Sequence, residues 1–279
     1  MNARHFYFFP LCITISLSAY CQSAESIYNK GLTASALKYY QLAITYYTQA
    51  INLKPGYEDA YLNRGTARYR LADCMGAITD FDSILLFNPK NEKAIADRGL
   101  AKECLGDTIA ALKDYELAIT INPWLSAAYN NRGNIPFWKH NYSTALKDYI
   151  KAIERDSTNM EAYLSAANAQ AALKDYNNAM LNYNKAISMD ANCGDAWYNR
   201  GVLKCKLHNM KDAIHDLDQA IILIPKNADA YWCRGMAKDI SNDHEGAKKD
   251  FSKSIKLEPS YGPLYERFKK EYAEHRKKK

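Results

Sequence analysis

The stretch YLNRGTARYRLADCMGAITDFDSILLFNPK, residues 61–90, decides the fold of this chain. Its first five residues return as YNNRG at 129–133 and as WYNRG at 197–201, each 68 residues further on. Half of that interval, 34 residues, divides the chain without insertion or deletion into 24–57, 58–91, 92–125, 126–159, 160–193, 194–227 and 228–261. A fixed period of this length is the mark of stacked supersecondary units rather than of one globular core.

Position by position, the units repeat a packing recipe. Position 8 is Gly31, Gly65, Gly99, Gly133, Ala167, Gly201 and Gly235, and position 20 is alanine throughout, from Ala43 to Ala247. Position 4 is large (Ile27, Tyr61, Ile95, Tyr129, Tyr163, Trp197, Tyr231), and so is position 24 (Tyr47, Phe81, Tyr115, Tyr149, Tyr183, Leu217, Phe251). Apolar residues at 4, 8, 20, 21, 24, 27 and 28 follow helical spacing, with a break near 15–17. Each unit therefore reads as two helices and a short turn, in which small residues at 8 and 20 let the helices approach and the large ones fill the flanks. Proline at position 32 in five units (Pro55, Pro89, Pro123, Pro225, Pro259) stops the second helix. A single hairpin leaves an apolar face bare, so the units must stack.

Comparing units gives one polar pattern. Arg64, Arg98, Arg132, Arg200 and Arg234 hold position 7, and the same five units carry Asp80, Asp114, Asp148, Asp216 and Asp250 at position 23. The other two units lack both partners, with Lys30 and Tyr46 in one and Ala166 and Asn182 in the other. An Arg–Asp bridge within each hairpin is expected. If half exposed, each is worth about 0–1 kcal/mol and serves register rather than bulk stability.

These signature positions resemble the tetratricopeptide repeat family over residues 24–261. The resemblance implies an all-α fold, a right-handed superhelical solenoid of stacked hairpins whose concave face is lined by first helices. It also implies a polypeptide ligand and places positions 2, 5, 9, 12 and 13 on the concave face, opposite buried positions 4 and 8. The candidate groove residues are then Tyr28, Asp59, Tyr69, Asn130, Asn134, Phe137, Trp138, Glu161, Asn168, Asp195, Tyr198, Asp229 and Trp232. Acids at position 2 beside aromatics suit a protein or peptide partner carrying lysine or arginine; acids there also satisfy helix N-termini. The Lys and Asn set by which some family members grip a C-terminal carboxylate is not assembled in three consecutive units, since Tyr28, Leu32 and Asp97 stand at key positions. In the fourth unit, Pro136 at position 11 falls inside the first helix and a kink is expected before Phe137 and Trp138.

The flanks read differently. Arg4 followed by the apolar run Phe6 to Ala19 is too short for a bilayer crossing, which needs about 20 residues. It reads as an export signal over 1–21, leaving Gln22 first and the protein periplasmic or secreted. The alternative is a lipid anchor on Cys21. Past Tyr261, residues 262–279 read as a capping helix with Leu264, Phe268 and Tyr272 on one face, ending in the basic run Arg276 to Lys279.

The net charge of +6 lies largely in that tail, so the body has no basic field for nucleic acid. Outside the signal, Cys74, Cys104, Cys193, Cys205 and Cys233 are odd in number, so at least one thiol is unpaired in a monomer. Their spacings match no zinc site, and no catalytic or phosphate-binding signature occurs. No cofactor or metal is expected. His140 and His208 fall in the turns and His244 beside one, and the carboxylates recur with the period, so neither suggests catalysis. The expected role is that of an exported, non-enzymatic scaffold. The alternative is a structural part of an envelope or secretion assembly that uses convex faces and ends.

Overall fold

A computed structural model describes residues 23–267 and 270. The expected export signal, Cys21, Phe268, Tyr272 and the basic tail lie outside the described residues. Within them the chain forms two compact bodies, divided after Phe87. The first holds α1 (Ala24–Ala36), α2 (Tyr40–Leu53), α3 (Glu58–Arg70) and α4 (Cys74–Phe87). The second holds α5 (Glu92–Cys104), α6 (Thr108–Ile121), α7 (Ser126–Trp138), α8 (Tyr142–Arg155), α9 (Met160–Ala172), α10 (Tyr176–Met189), α11 (Gly194–Lys206), α12 (Met210–Leu223), α13 (Ala228–Ile240) and α14 (His244–Leu257). Residues 261–267 are also helical. Each body is all-α, and consecutive helices pair into hairpins whose first helices start every 34 residues. This is the helical-repeat solenoid class.

The turns show why the hairpins close. Position 15 adopts a left-handed backbone in all seven: Lys38, Ala72, Gly106, His140, Lys174, His208 and Asn242. The residue after it donates its backbone N–H to the carbonyl of position 11, as in Asp73 to Arg68 and Asp243 to Lys238. That bond closes the orphan carbonyls of the first helix in a Schellman-type turn. The same residue then caps the second helix. Asp73, Asp107, Asn141, Asp175, Asn209 and Asp243 each accept from the backbone N–H three residues on, and only Tyr39 lacks this bond. One residue thus ends one helix and starts the next.

Between the helices, the small and large residues meet as their sizes require. The alanines at position 20 are all buried, as are Tyr47, Phe81, Tyr115, Tyr149, Tyr183, Leu217 and Phe251 at position 24. A Cβ added at Gly133 would lie 2.8 Å from the Tyr149 ring, and one at Gly65 would lie 2.7 Å from Phe81. Glycine is needed here for the ring's approach rather than for backbone freedom. The fifth hairpin carries Ala167 at this position, fully buried beside Tyr183. α7 runs through Pro136 to Trp138 and keeps the 13-residue length of the other first helices.

The Arg–Asp pairs bind through two nitrogens. Arg200 donates from Nε and Nη2 to Asp216, at 2.7 and 2.8 Å. Arg64 with Asp80, Arg98 with Asp114, Arg132 with Asp148 and Arg234 with Asp250 repeat this fork. The condition of half exposure is not met: Asp216 is 0% exposed and Arg200 13%. In that setting the pair holds two desolvated charges together, and removing one partner is far more damaging than at a surface. The arginines also tie one hairpin to the one before. The Nη1 of Arg64 donates to Thr48, that of Arg200 to Asn184 and that of Arg234 to Asp218, all at position 25 of the preceding unit.

Candidate functional site

The face built from first helices carries two adjoining clefts in the second body. Asn134, Phe137 and Trp138 of α7, Tyr149 of α8, and Ser165 and Asn168 of α9 line a cleft of about 140 Å³. Asn168 also lines the next one, about 230 Å³, with Ala171, Ala172, Tyr183, Asn199, Val202, Leu203 and Lys206. The two clefts thus share Asn168 and run from α7 across α9 to α11.

The asparagines are oriented by the core. The Tyr149 hydroxyl donates to Asn134 Oδ1 at 2.9 Å, and the Tyr183 hydroxyl donates to Asn168 Oδ1 at 2.7 Å. Asn199 Nδ2 donates to the same Asn168 oxygen. With the oxygens engaged, the amide nitrogens are the ends left to meet a ligand acceptor. Burial raises the pKa of both tyrosine hydroxyls well above the ordinary phenol range, so they remain donors at any physiological pH. At the cleft's edge Trp138 is 72% exposed, with its ring edge-on to Phe137 at 5.6 Å. Phe137 in turn packs on Tyr142 and Tyr149, which fixes the base on which the exposed indole stands.

The other candidates are placed less openly. Trp232 is sandwiched between Phe251 and Tyr261, each at 4.9 Å, and so belongs to an aromatic stack at the C-terminal end. Tyr198 is half-buried beside Cys233, whose pKa burial raises to about 11. Asn130 is buried, and its Oδ1 accepts no hydrogen bond. Glu161 and Asp195 are exposed, while exposed Asp229 accepts from the Tyr261 hydroxyl. In the first body, Tyr28 packs against Tyr47 and Tyr57 and receives a hydrogen bond from Asn63; its pKa is pushed up to about 12, mainly by burial. Asp59 is exposed and Tyr69 partly buried in the same body. Sequence reasoning passed over Ser165, Asn199, Val202 and Lys206. The last two sit at positions 9 and 13, where the concave pattern could have found them.

No group of three or more His, Cys, Asp or Glu side chains among the described residues converges as a metal site, and Cys193, Cys205 and Cys233 are free thiols. No helix among them is long and apolar enough to cross a membrane.

The tetratricopeptide repeat family model matches residues 24–57, 161–193 and 228–261, each falling on one hairpin. The chain is a tetratricopeptide repeat protein. Its fold is similar to a tetratricopeptide repeat protein from Parabacteroides merdae, at 23% identity and a TM-score of 0.58 over 87% of this chain and 97% of that one. It is also similar to PilF of Pseudomonas aeruginosa, at 16% identity and a TM-score of 0.68 over 75% and 97% of the two chains. YrrB, described as a TPR protein with an unusual peptide-binding site, matches at 18% identity and a TM-score of 0.53, over 64% and 92%. At these identities the likeness of this tetratricopeptide repeat protein to them is one of fold. No curated protein matches the chain.

Proposed function

We propose that this protein is a non-catalytic interaction scaffold that holds an extended polypeptide segment along the first-helix face, from Trp138 past Asn168 to Lys206. The observation that carries this reading is the pair of adjoining clefts joined by Asn168, with asparagine donors pinned by buried tyrosines and an exposed indole at one end. Amide donors at intervals meet backbone carbonyls of an extended chain, while the indole gives an aromatic anchor of the type that dominates peptide interfaces. Shallow clefts of about 140 and 230 Å³ suit a peptide better than a compact metabolite. The description of YrrB as peptide-binding agrees with this assignment, at the level of fold.

The test is selection of a peptide from a displayed library by the purified chain, followed by titration of variants. Trp138→Ala is expected to weaken the selected peptide at least tenfold, since truncating an aromatic anchor removes about 1.4 kcal/mol or more. Affinity unchanged in Trp138→Ala and in Asn168→Ala would count against the groove. Export behind residues 1–21 belongs to the same proposal. The intact mass of protein recovered from its native host is expected to begin at Gln22, and a diacylated Cys21 would replace export by anchoring.

A further inference from the structure

The hairpins differ from one another at position 11, and that difference opens a site on the second-helix side, away from the peptide clefts. In four hairpins position 11 is a long cation that completes the buried carboxylate. Arg68 reaches Asp80 at 2.9 Å, Lys102 reaches Asp114 at 2.7 Å, Lys204 reaches Asp216 at 2.7 Å and Lys238 reaches Asp250 at 2.9 Å. Where the fifth hairpin replaces Asp by Asn182, position 11 becomes Gln170 and the two amides bond each other at 2.8 Å. Only the fourth hairpin keeps the aspartate and loses the partner. Its Asp148 accepts from Arg132 alone, and Pro136 stands where the cation should be.

A space is left there. Asp148 and Pro136 line a cavity of about 690 Å³, walled by Leu112, Ile135 and Ile150. Asp148 is 13% exposed, whereas the aspartates of the other four hairpins are 0–6% exposed. Lys139, Lys147 and Lys151 at the rim outnumber Glu116 and Glu154, so the rim is weakly positive. A cation would therefore not be drawn in by a long-range field. Its gain would come at short range, from the carboxylate, with the apolar walls covering its stem.

We propose that this cavity receives the side chain of a lysine from a partner polypeptide, its ammonium taking on Asp148 the place that Lys102, Lys204 and Lys238 take on their own aspartates. The methylene stem lies along Leu112, Ile135 and Pro136, and the ammonium completes the pair that Arg132 begins. The sibling hairpins show the ammonium in that place with their own lysines, and the apolar walls suit the stem. This contact is independent of the groove around Trp138, so either can fail without the other.

The test is an amide chemical-shift titration of the full chain with Nα-acetyl-lysine-N-methylamide. In parallel run its Nε-acetylated form and the norleucine analogue. Shifts centred on Ile135, Lys147 and Asp148 are expected with the lysine probe and are expected to be lost when the ammonium is acetylated or absent. Pro136→Lys should supply the missing cation from within, leave a folded protein and abolish the shifts. Trp138→Ala should leave them unchanged. Equal shifts from the norleucine analogue would reduce the site to an apolar hollow and overturn the proposal. Persistence of the shifts in Pro136→Lys would overturn it as well.

Discussion

Arg200 shows how much one side chain does in this fold. Its Nε and Nη2 hold Asp216 within the hairpin, while Nη1 reaches Asn184 of the hairpin before, and the guanidinium lies 4.8 Å from the centre of the Trp197 ring. Asp216 is fully buried, so its charge depends on Arg200 and Lys204 for the solvation that water no longer supplies. Arg200→Met is expected to cost about 3 kcal/mol, the usual order for stripping one partner from a buried pair. Arg200→Met combined with Asp216→Leu should recover most of that loss, because removing both charges also removes the desolvation penalty. Urea unfolding of the two variants measures the difference. If the double variant were no more stable than the single one, the burial argument for this pair would fail.

At the scale of the element, the turn is where local sequence and required geometry disagree most. All seven turns place position 15 in the left-handed region, yet only Gly106 is a residue that takes it without steric cost. His140, His208 and Asn242 belong to the few types that tolerate it, whereas Lys38, Ala72 and Lys174 are held there by the bond that closes the turn and the cap that follows. Lys174→Gly, at φ 64°, is therefore expected to stabilise the chain by about 0.5–1 kcal/mol, and Gly106→Ala, at φ 82°, to destabilise it by about 1 kcal/mol. Nothing within 4 Å would meet a Cβ at Gly106, so the loss there isolates the backbone term. Midpoints of chemical unfolding report both. Equal midpoints for Gly106→Ala and the parent would mean the turn carries no strain. This geometry was not readable as a glycine rule, because the signal is a fixed position with a varied residue, and only the break near 15–17 could be seen.

For the whole molecule, what could be read in advance was whatever repeats. Glycine and alanine at positions 8 and 20 and rings at 24 recur, and they became buried helix contacts. Arg at 7 and Asp at 23 recur and are hydrogen-bonded, but their burial could not be seen until neighbouring hairpins were stacked on them. The arginine's reach to position 25 was hidden because that position varies among Thr48, Asn184 and Asp218. The position-11 cations were legible, since Arg68, Lys102, Lys204 and Lys238 all fall in units that carry the position-23 aspartate, while Gln170 accompanies Asn182. Trp232 shows the opposite case: its helix face was readable, but its cover comes from Tyr261, which lies beyond the hairpin.

That last contact allows a test of how far stability spreads. Tyr261 stacks on Trp232, and Tyr265 stacks on Phe251 at 5.1 Å, so two rings from the segment after α14 close the apolar end of α13 and α14. In a repeat fold each hairpin draws its stability from itself and its immediate neighbours. Tyr261→Ala with Tyr265→Ala should therefore loosen the last hairpin first. Native-state hydrogen exchange is expected to quicken roughly tenfold or more in α13 and α14, matching a local loss of about 1.4 kcal/mol or more, while α5 to α8 exchange as before. A uniform acceleration from α5 to α14 would instead show that the second body opens as one cooperative unit, with its end no more separable than its middle.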